Sequence, residues 1–160
     1  MNRDEFYMEK AIQVAKENLK KNEYPFGCCI VYQENAITAG NSCFTESNPL
    51  KHAELNAINK LIDSFGMKAL KDSVIYTTTE PCLMCLGAIN WSNIPRLVYG
   101  TSVKQSQALG FGEVHLTIEE VKANFSYDLQ VEQGVLQEEC MELLRLWEEK
   151  NKRFAKFLRK

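Results

Sequence analysis

The chain has 160 residues, 45% hydrophobic and 25% charged, a balance that suits one compact core and is too short for two independent ones. Net charge is −2, but Lys150, Lys152, Arg153, Lys156, Arg159 and Lys160 place +6 on the last eleven residues and leave −8 on the remainder. An acidic body is poorly suited to wrapping a phosphate backbone, and no apolar stretch approaches the length of a membrane span.

The N-terminus, Met1-Asn2-Arg3-Asp4-Glu5, is charged where a signal peptide turns apolar, so a cytoplasmic protein with reduced cysteines is expected. Cys28, Cys29, Cys43 and Cys140 read as small core or near-core residues. From Asp4 to about Lys20, Phe6, Met8, Ala11, Ile12, Ala15 and Leu19 form a helical stripe with Asp4 as its cap. Gly27–Tyr32 and Ala36–Ala39 are short apolar, β-branched runs joined by Gln33-Glu34-Asn35, which has hairpin character. Asn41–Lys51, rich in Asn, Ser, Thr and Pro, is a loop that delivers the chain to His52, after which a helix runs to about Ser64.

Ser73–Thr78 reads as a buried strand whose end leads through Thr79-Glu80-Pro81 into another helix. A short strand over Arg96–Tyr99 follows Pro95 and stops at Gly100. Thr117-Ile118-Glu119-Glu120 has the capping-box pattern of a helix start, and Tyr127–Glu132 makes a fifth strand. The last helix runs from about Val135 to Phe157, with Leu136, Cys140, Leu143, Leu144 and Trp147 as its apolar face. Helices interleaved with five strands predict an α/β fold, a three-layer α/β/α sandwich in a single domain over 1–160 that ends in a basic helix at 135–160.

The chemistry is concentrated in His52-Ala53-Glu54 and Pro81-Cys82-Leu83-Met84-Cys85. On a helix Cys82 and Cys85 share one face, and a helix N-terminus favours the thiolate that a metal requires. Thirty positions separate His52 from Cys82, enough for a helix, a turn and a strand, so the ligands can converge from two helix starts. Two thiolates and a neutral imidazole balance the charge of Zn²⁺ with three protein ligands, and the open fourth position holds water. Glu54 is too near His52 to serve as a fourth ligand but near enough to reach that water, which makes it the proton shuttle.

A lone Cys-x-x-Cys also suits a redox pair or half of a zinc ribbon, but the chain has no second such pair. In this order, His-x-Glu and Pro-Cys-x-x-Cys match the signature of the zinc deaminases. The chain thus resembles the cytidine deaminase-like family, in the branch holding bacterial guanine deaminases and tRNA adenosine deaminases, from Tyr24 to about Trp147. The resemblance implies a mixed sheet of order 2-1-3-4-5, one Zn²⁺ per chain, two metal helices side by side beneath the substrate, and a homodimer. It implies that Glu54 takes a proton from water, which attacks the ring carbon bearing the amine, and returns protons to the ring nitrogen and the departing ammonia.

Several local matches resemble the guanine deaminases, so the main reading is a nucleobase deaminase that converts guanine to xanthine, with a small-molecule base as its partner. Phe26 then packs on the purine face, although it reads equally as a core aromatic. Asn41 binds the base through an amide that donates and accepts at once, and Ala53 N–H and the Glu80 carbonyl supply further contacts. Glu113 falls in a stretch similar to the acidic base-facing one of guanine deaminases, although Gly112 departs from that pattern and a solvated loop glutamate is an equal reading. The alternatives are cytosine deamination and tRNA adenosine deamination. The basic tail could grip RNA, or its cations could simply suit a helix C-terminus.

Overall fold

The computed structural model describes residues 1–112, 114 and 116–158, the last six by backbone alone. Helix α1, Arg3–Lys20, starts from Asn2, whose side-chain oxygen accepts the Glu5 N–H while the Glu5 carboxylate accepts the Asn2 N–H. This reciprocal cap takes the place expected for Asp4. Asp4 instead accepts bonds of 2.8 and 2.7 Å from Arg96 and one of 3.0 Å from the Tyr76 hydroxyl, pinning α1 to the sheet. The inward stripe is Tyr7, Met8, Ala11, Ile12 and Ala15; Phe6, expected in it, lies half-exposed beside the Lys10 ammonium.

Strands β1, Gly27–Tyr32, and β2, Asn35–Gly40, form the expected hairpin. Its turn is two residues, Gln33 and Glu34, both at positive φ, so Asn35 pairs with Tyr32 as the first residue of β2. Strand β3 is Ser73–Thr79, β4 is Arg96–Thr101 and β5 is Gln130–Gln133. The sheet order is β2-β1-β3-β4-β5, with β1 antiparallel to both neighbours and β3, β4 and β5 parallel, as the resemblance implied.

Helix α2, Ala53–Phe65, and helix α3, Leu83–Ser92, cover one face of the sheet. There Cys28, Ile30, Ile75 and Leu97 meet Ala57, Leu61, Leu86 and Ile89. The alternate residues Cys29, Val31, Tyr76 and Val98 point to the other face, under α1 and the last helix, Gln137–Leu158. The three-layer α/β/α sandwich is therefore present. The layers are close: a Cβ on Gly27 would strike the Ala11 carbonyl oxygen, so only glycine lets α1 rest on the start of β1.

Four details depart from expectation. Met67–Asp72 forms a 3₁₀ helix before β3, and a short helix, α4, covers Val103–Ala108 with Ser102 and Gln105 as a capping box. The expected Thr117 box does start a helix, α5, Ile118–Lys122. Strand β5 begins three residues later than predicted, because the Tyr127 hydroxyl donates to the carbonyls of Ile89 and Ile94 and ties its segment to the end of α3. The last helix, α6, begins at Gln137 because Gly134 and Leu136 take left-handed φ values of 76° and 49°.

Candidate active site

The two metal helices begin at the carboxyl ends of the loop after β2 and of strand β3. His52 is the N-cap residue of α2 and Cys82 that of α3, yet neither side chain caps its helix. Both turn towards a common point that Cys85, one turn into α3, also faces. His52 Nδ1 lies 3.5 Å from Cys82 Sγ and 3.6 Å from Cys85 Sγ, and the three donor atoms fall within 4.8 Å of one another. A tetrahedral zinc with ordinary bond lengths sets its sulfur and nitrogen ligands about 3.6 Å apart. The donors therefore already stand at zinc spacing, and they fit the metal.

Charge in the site is arranged accordingly. The Cys85 thiol hydrogen-bonds Cys82 and brings the Cys82 thiol down to about 4, while the same contact and burial raise Cys85. One thiolate is thus formed in advance, and metal binding displaces the remaining thiol proton. Burial, followed by the nearby Cys82 thiolate, pushes the Glu54 carboxyl up to about 7. A zinc ion held by the three ligands would draw that value back down, towards the carboxylate that accepts a proton from water.

Phe26, Asn41, Ala53, Glu54 and Glu80 line one small cavity with His52 and Cys82, of about 20 Å³. Five of the six residues expected to act on substrate thus come together around the metal ligands. Glu113 lies outside the described residues. Asn41 is nearly buried: its N–H donates to the Phe26 carbonyl, and its side-chain oxygen accepts the Cys43 N–H at 3.0 Å. The Asn18 amide holds the same corner by donating to the carbonyls of Tyr24, Phe26 and Asn41. The Glu80 carboxylate accepts the Val103 N–H at 2.8 Å and its own N–H donates to Thr101, which locks the turn after β3 to the end of β4.

The sequence did not reveal the aromatic cluster that extends from Phe26 at the edge of the pocket. Phe26 meets Phe111 edge-on at 5.3 Å, Phe111 packs on Trp147 of α6 at 4.7 Å, and Trp147 packs on Tyr24 at 5.6 Å. Phe44 also stacks on Tyr24, at 4.7 Å. A larger hollow, about 410 Å³, lies beside the metal site, sharing His52 with it and bordered by Tyr24, Cys43 and Phe44. These rings are scattered through the chain, and no local spacing signals their contact.

An imidazole and two thiolates with an open position, beside a buried carboxylate at the carboxyl end of a sheet, define a zinc-dependent deaminase. Residues 1–101 match the family described as the cytidine and deoxycytidylate deaminase zinc-binding region, and the chain belongs to that family. A relative from Streptococcus pyogenes serotype M1, a tRNA-specific adenosine deaminase, is 33% identical over 141 residues, covering 88% of this chain and 80% of its own. The structure resembles that of a tRNA:A34 deaminase with a TM-score of 0.74 and 26% identity, over 86% of this chain and 98% of the other. It also resembles a guanine deaminase from Bacillus subtilis with a TM-score of 0.67 and 30% identity, over 80% of this chain and 83% of the other. The chain is thus a zinc aminohydrolase of the nucleobase and nucleoside deaminase class. Among the described residues, no helix is long and apolar enough to cross a membrane.

Proposed function

We propose that this chain deaminates adenosine to inosine in tRNA, as a single-domain cytoplasmic enzyme. The observation that carries this reading is the match to a tRNA-specific adenosine deaminase across 88% of the chain, metal helices included. It replaces the free guanine favoured by the local motifs, since Phe26 and Asn41 suit any purine and Glu113, the guanine-directed residue, rests on an imperfect match. The basic residues from Lys150 onward offer contacts to RNA phosphate that the acidic remainder lacks.

Bound zinc would supply Lewis acidity that lowers the pKa of water. His52, Cys82 and Cys85 would hold it, Cys85 from a fully buried position in α3. Glu54 takes the proton from the attacking water and delivers protons to the adjacent ring nitrogen and the departing amine. Asn41 holds the purine edge, Ala53 N–H and the Glu80 carbonyl add polar contacts, and Phe26 lies against the ring face. Two copies pair through α3, where Leu83 and Trp91 are exposed, Gly87 meets open space and the buried Asn90 side-chain oxygen has no partner among the described residues.

The test is a panel: zinc-loaded protein with tRNA transcripts carrying adenosine at the wobble position, sequenced for inosine, beside ammonia release from free guanine, adenine and cytosine. Inosine at the wobble position with inert free bases supports the proposal. Guanine turnover without tRNA turnover replaces it with the second reading, which the 30% identity to the Bacillus guanine deaminase favours.

A further inference from the structure

Glu23 is a carboxylate that the chemistry above does not use. It is 2% exposed and, among the described residues, forms no ion pair; Lys150 borders a hollow with it but gives its ammonium to the Leu19 carbonyl. A buried carboxylate persists only where donors fill its lone pairs. Here Oε1 accepts the Tyr24 N–H at 3.0 Å, while Oε2 accepts the N–H groups of Phe44 and Thr45 at 2.9 and 3.0 Å and the Thr45 hydroxyl at 3.2 Å. One side chain therefore bolts the segment before β1 to the loop that runs on to His52. Bonds from N–H groups to a charged oxygen are the strong kind, and two adjacent amides on one atom fix a loop's direction.

The loop so fixed carries Phe44. Phe44 is 57% exposed, its ring stacks at 30° on Tyr24, and it borders the same hollow as His52. An aromatic ring held rigidly with one face open suits a flat partner, and base stacking on such a ring is sequence-tolerant. We propose that Glu23 is a positioning residue: its buried carboxylate fixes the Phe44 loop so that the ring meets the nucleotide beside the reacting adenosine. The choice of a nucleotide rests on the tRNA reading; the fixing of the loop does not.

The experiment uses the zinc-loaded full chain as wild type, Glu23→Ala and Glu23→Gln. Zinc content, amide hydrogen exchange, and kcat and KM on a tRNA anticodon stem-loop transcript are measured. Glutamine keeps one oxygen for Phe44 and Thr45 but opposes the Tyr24 N–H with a donor, so it should restore most of what alanine loses. In Glu23→Ala, exchange at Phe44 and Thr45 is expected to rise at least about tenfold with β1 and β3 amides unchanged, and KM to rise about tenfold with zinc retained. A merely structural role lowers the active fraction, and so kcat, at constant KM while core amides also speed up; that pattern overturns the proposal. So does an unchanged KM. Should Glu23→Ala fail to fold, wild-type Phe44 and Thr45 amides must still exchange more slowly than that of Ser47, and equal rates overturn the proposal. A wild type inert on the stem-loop refutes the tRNA reading, and with it the nucleotide at Phe44, whatever the exchange data give for the loop.

Discussion

Replacing Gly100 with alanine places a methyl group where α6 crosses β4. The added Cβ would overlap Cys140 Sγ and stand 2.8 Å from Cys140 Cβ and 2.9 Å from the Thr78 carbonyl oxygen. Thr78 belongs to the neighbouring strand and Cys140 is 1% exposed, so neither atom can swing aside and α6 itself must move outward. Overpacking of this kind costs about 1–3 kcal/mol. Cys140→Ala removes the sulfur but leaves the Cβ contact, so the double variant should recover only part of the loss, with a coupling of about 1 kcal/mol. Urea unfolding of the four zinc-loaded proteins gives these values. Because Trp147 lies two turns further along α6 and touches both Phe111 and Tyr24, KM should rise as well. A Gly100→Ala protein within about 0.5 kcal/mol of wild type, or strictly additive variants, would refute this account of how α6 is seated.

Glu54→Gln should bind zinc normally and lose roughly 10²–10⁴-fold in kcat, measured as inosine formed per zinc; full turnover by the metal-loaded variant removes Glu54 from proton transfer. Cys85→Ala should fall below one zinc per chain by metal analysis while keeping its far-ultraviolet circular dichroism, since the apolar face of α3 still packs on the sheet; full zinc occupancy contradicts the ligand set. Asp4→Asn probes pH dependence. Hydrogen bonding by Arg96 holds the Asp4 carboxyl below its usual 3.8, so its contribution is full above that value and is lost as pH falls through the lower folded value. The variant should be about 1 kcal/mol less stable near neutrality and no less stable than wild type well below pH 4; a deficit that persists in acid points to packing instead.

Elements with a strong local period were legible in the sequence. The stripe of α1, the β-branched runs of β1 and β3, and the Thr117 box each occur close to their expected limits, because neighbouring residues alone decide them. The metal ligands were legible for the same reason: helix starts and a three-residue spacing determine where His52, Cys82 and Cys85 point. What escaped depends on distant partners. Asp4 prefers Arg96, 92 positions away, to the cap, and the Tyr127 hydroxyl delays the start of β5 by bonding to the end of α3. Glu23 gives no sequence signal because, apart from the adjacent Tyr24 N–H, its donors lie 21 and 22 residues on. The Ser102-x-x-Gln105 box of α4 carries the same local signal as the Thr117 box and is legible in the sequence in the same way.

The proposed reaction is hydrolysis of the amine of adenosine within tRNA at this metal pocket. The most direct measurement runs zinc-loaded protein with a wobble-adenosine tRNA transcript in oxygen-18-labelled water, scoring the nucleoside product by mass and ammonia by enzymatic assay. The account predicts inosine carrying labelled oxygen and an equal amount of ammonia. Adenosine left intact, or inosine without label, would contradict it.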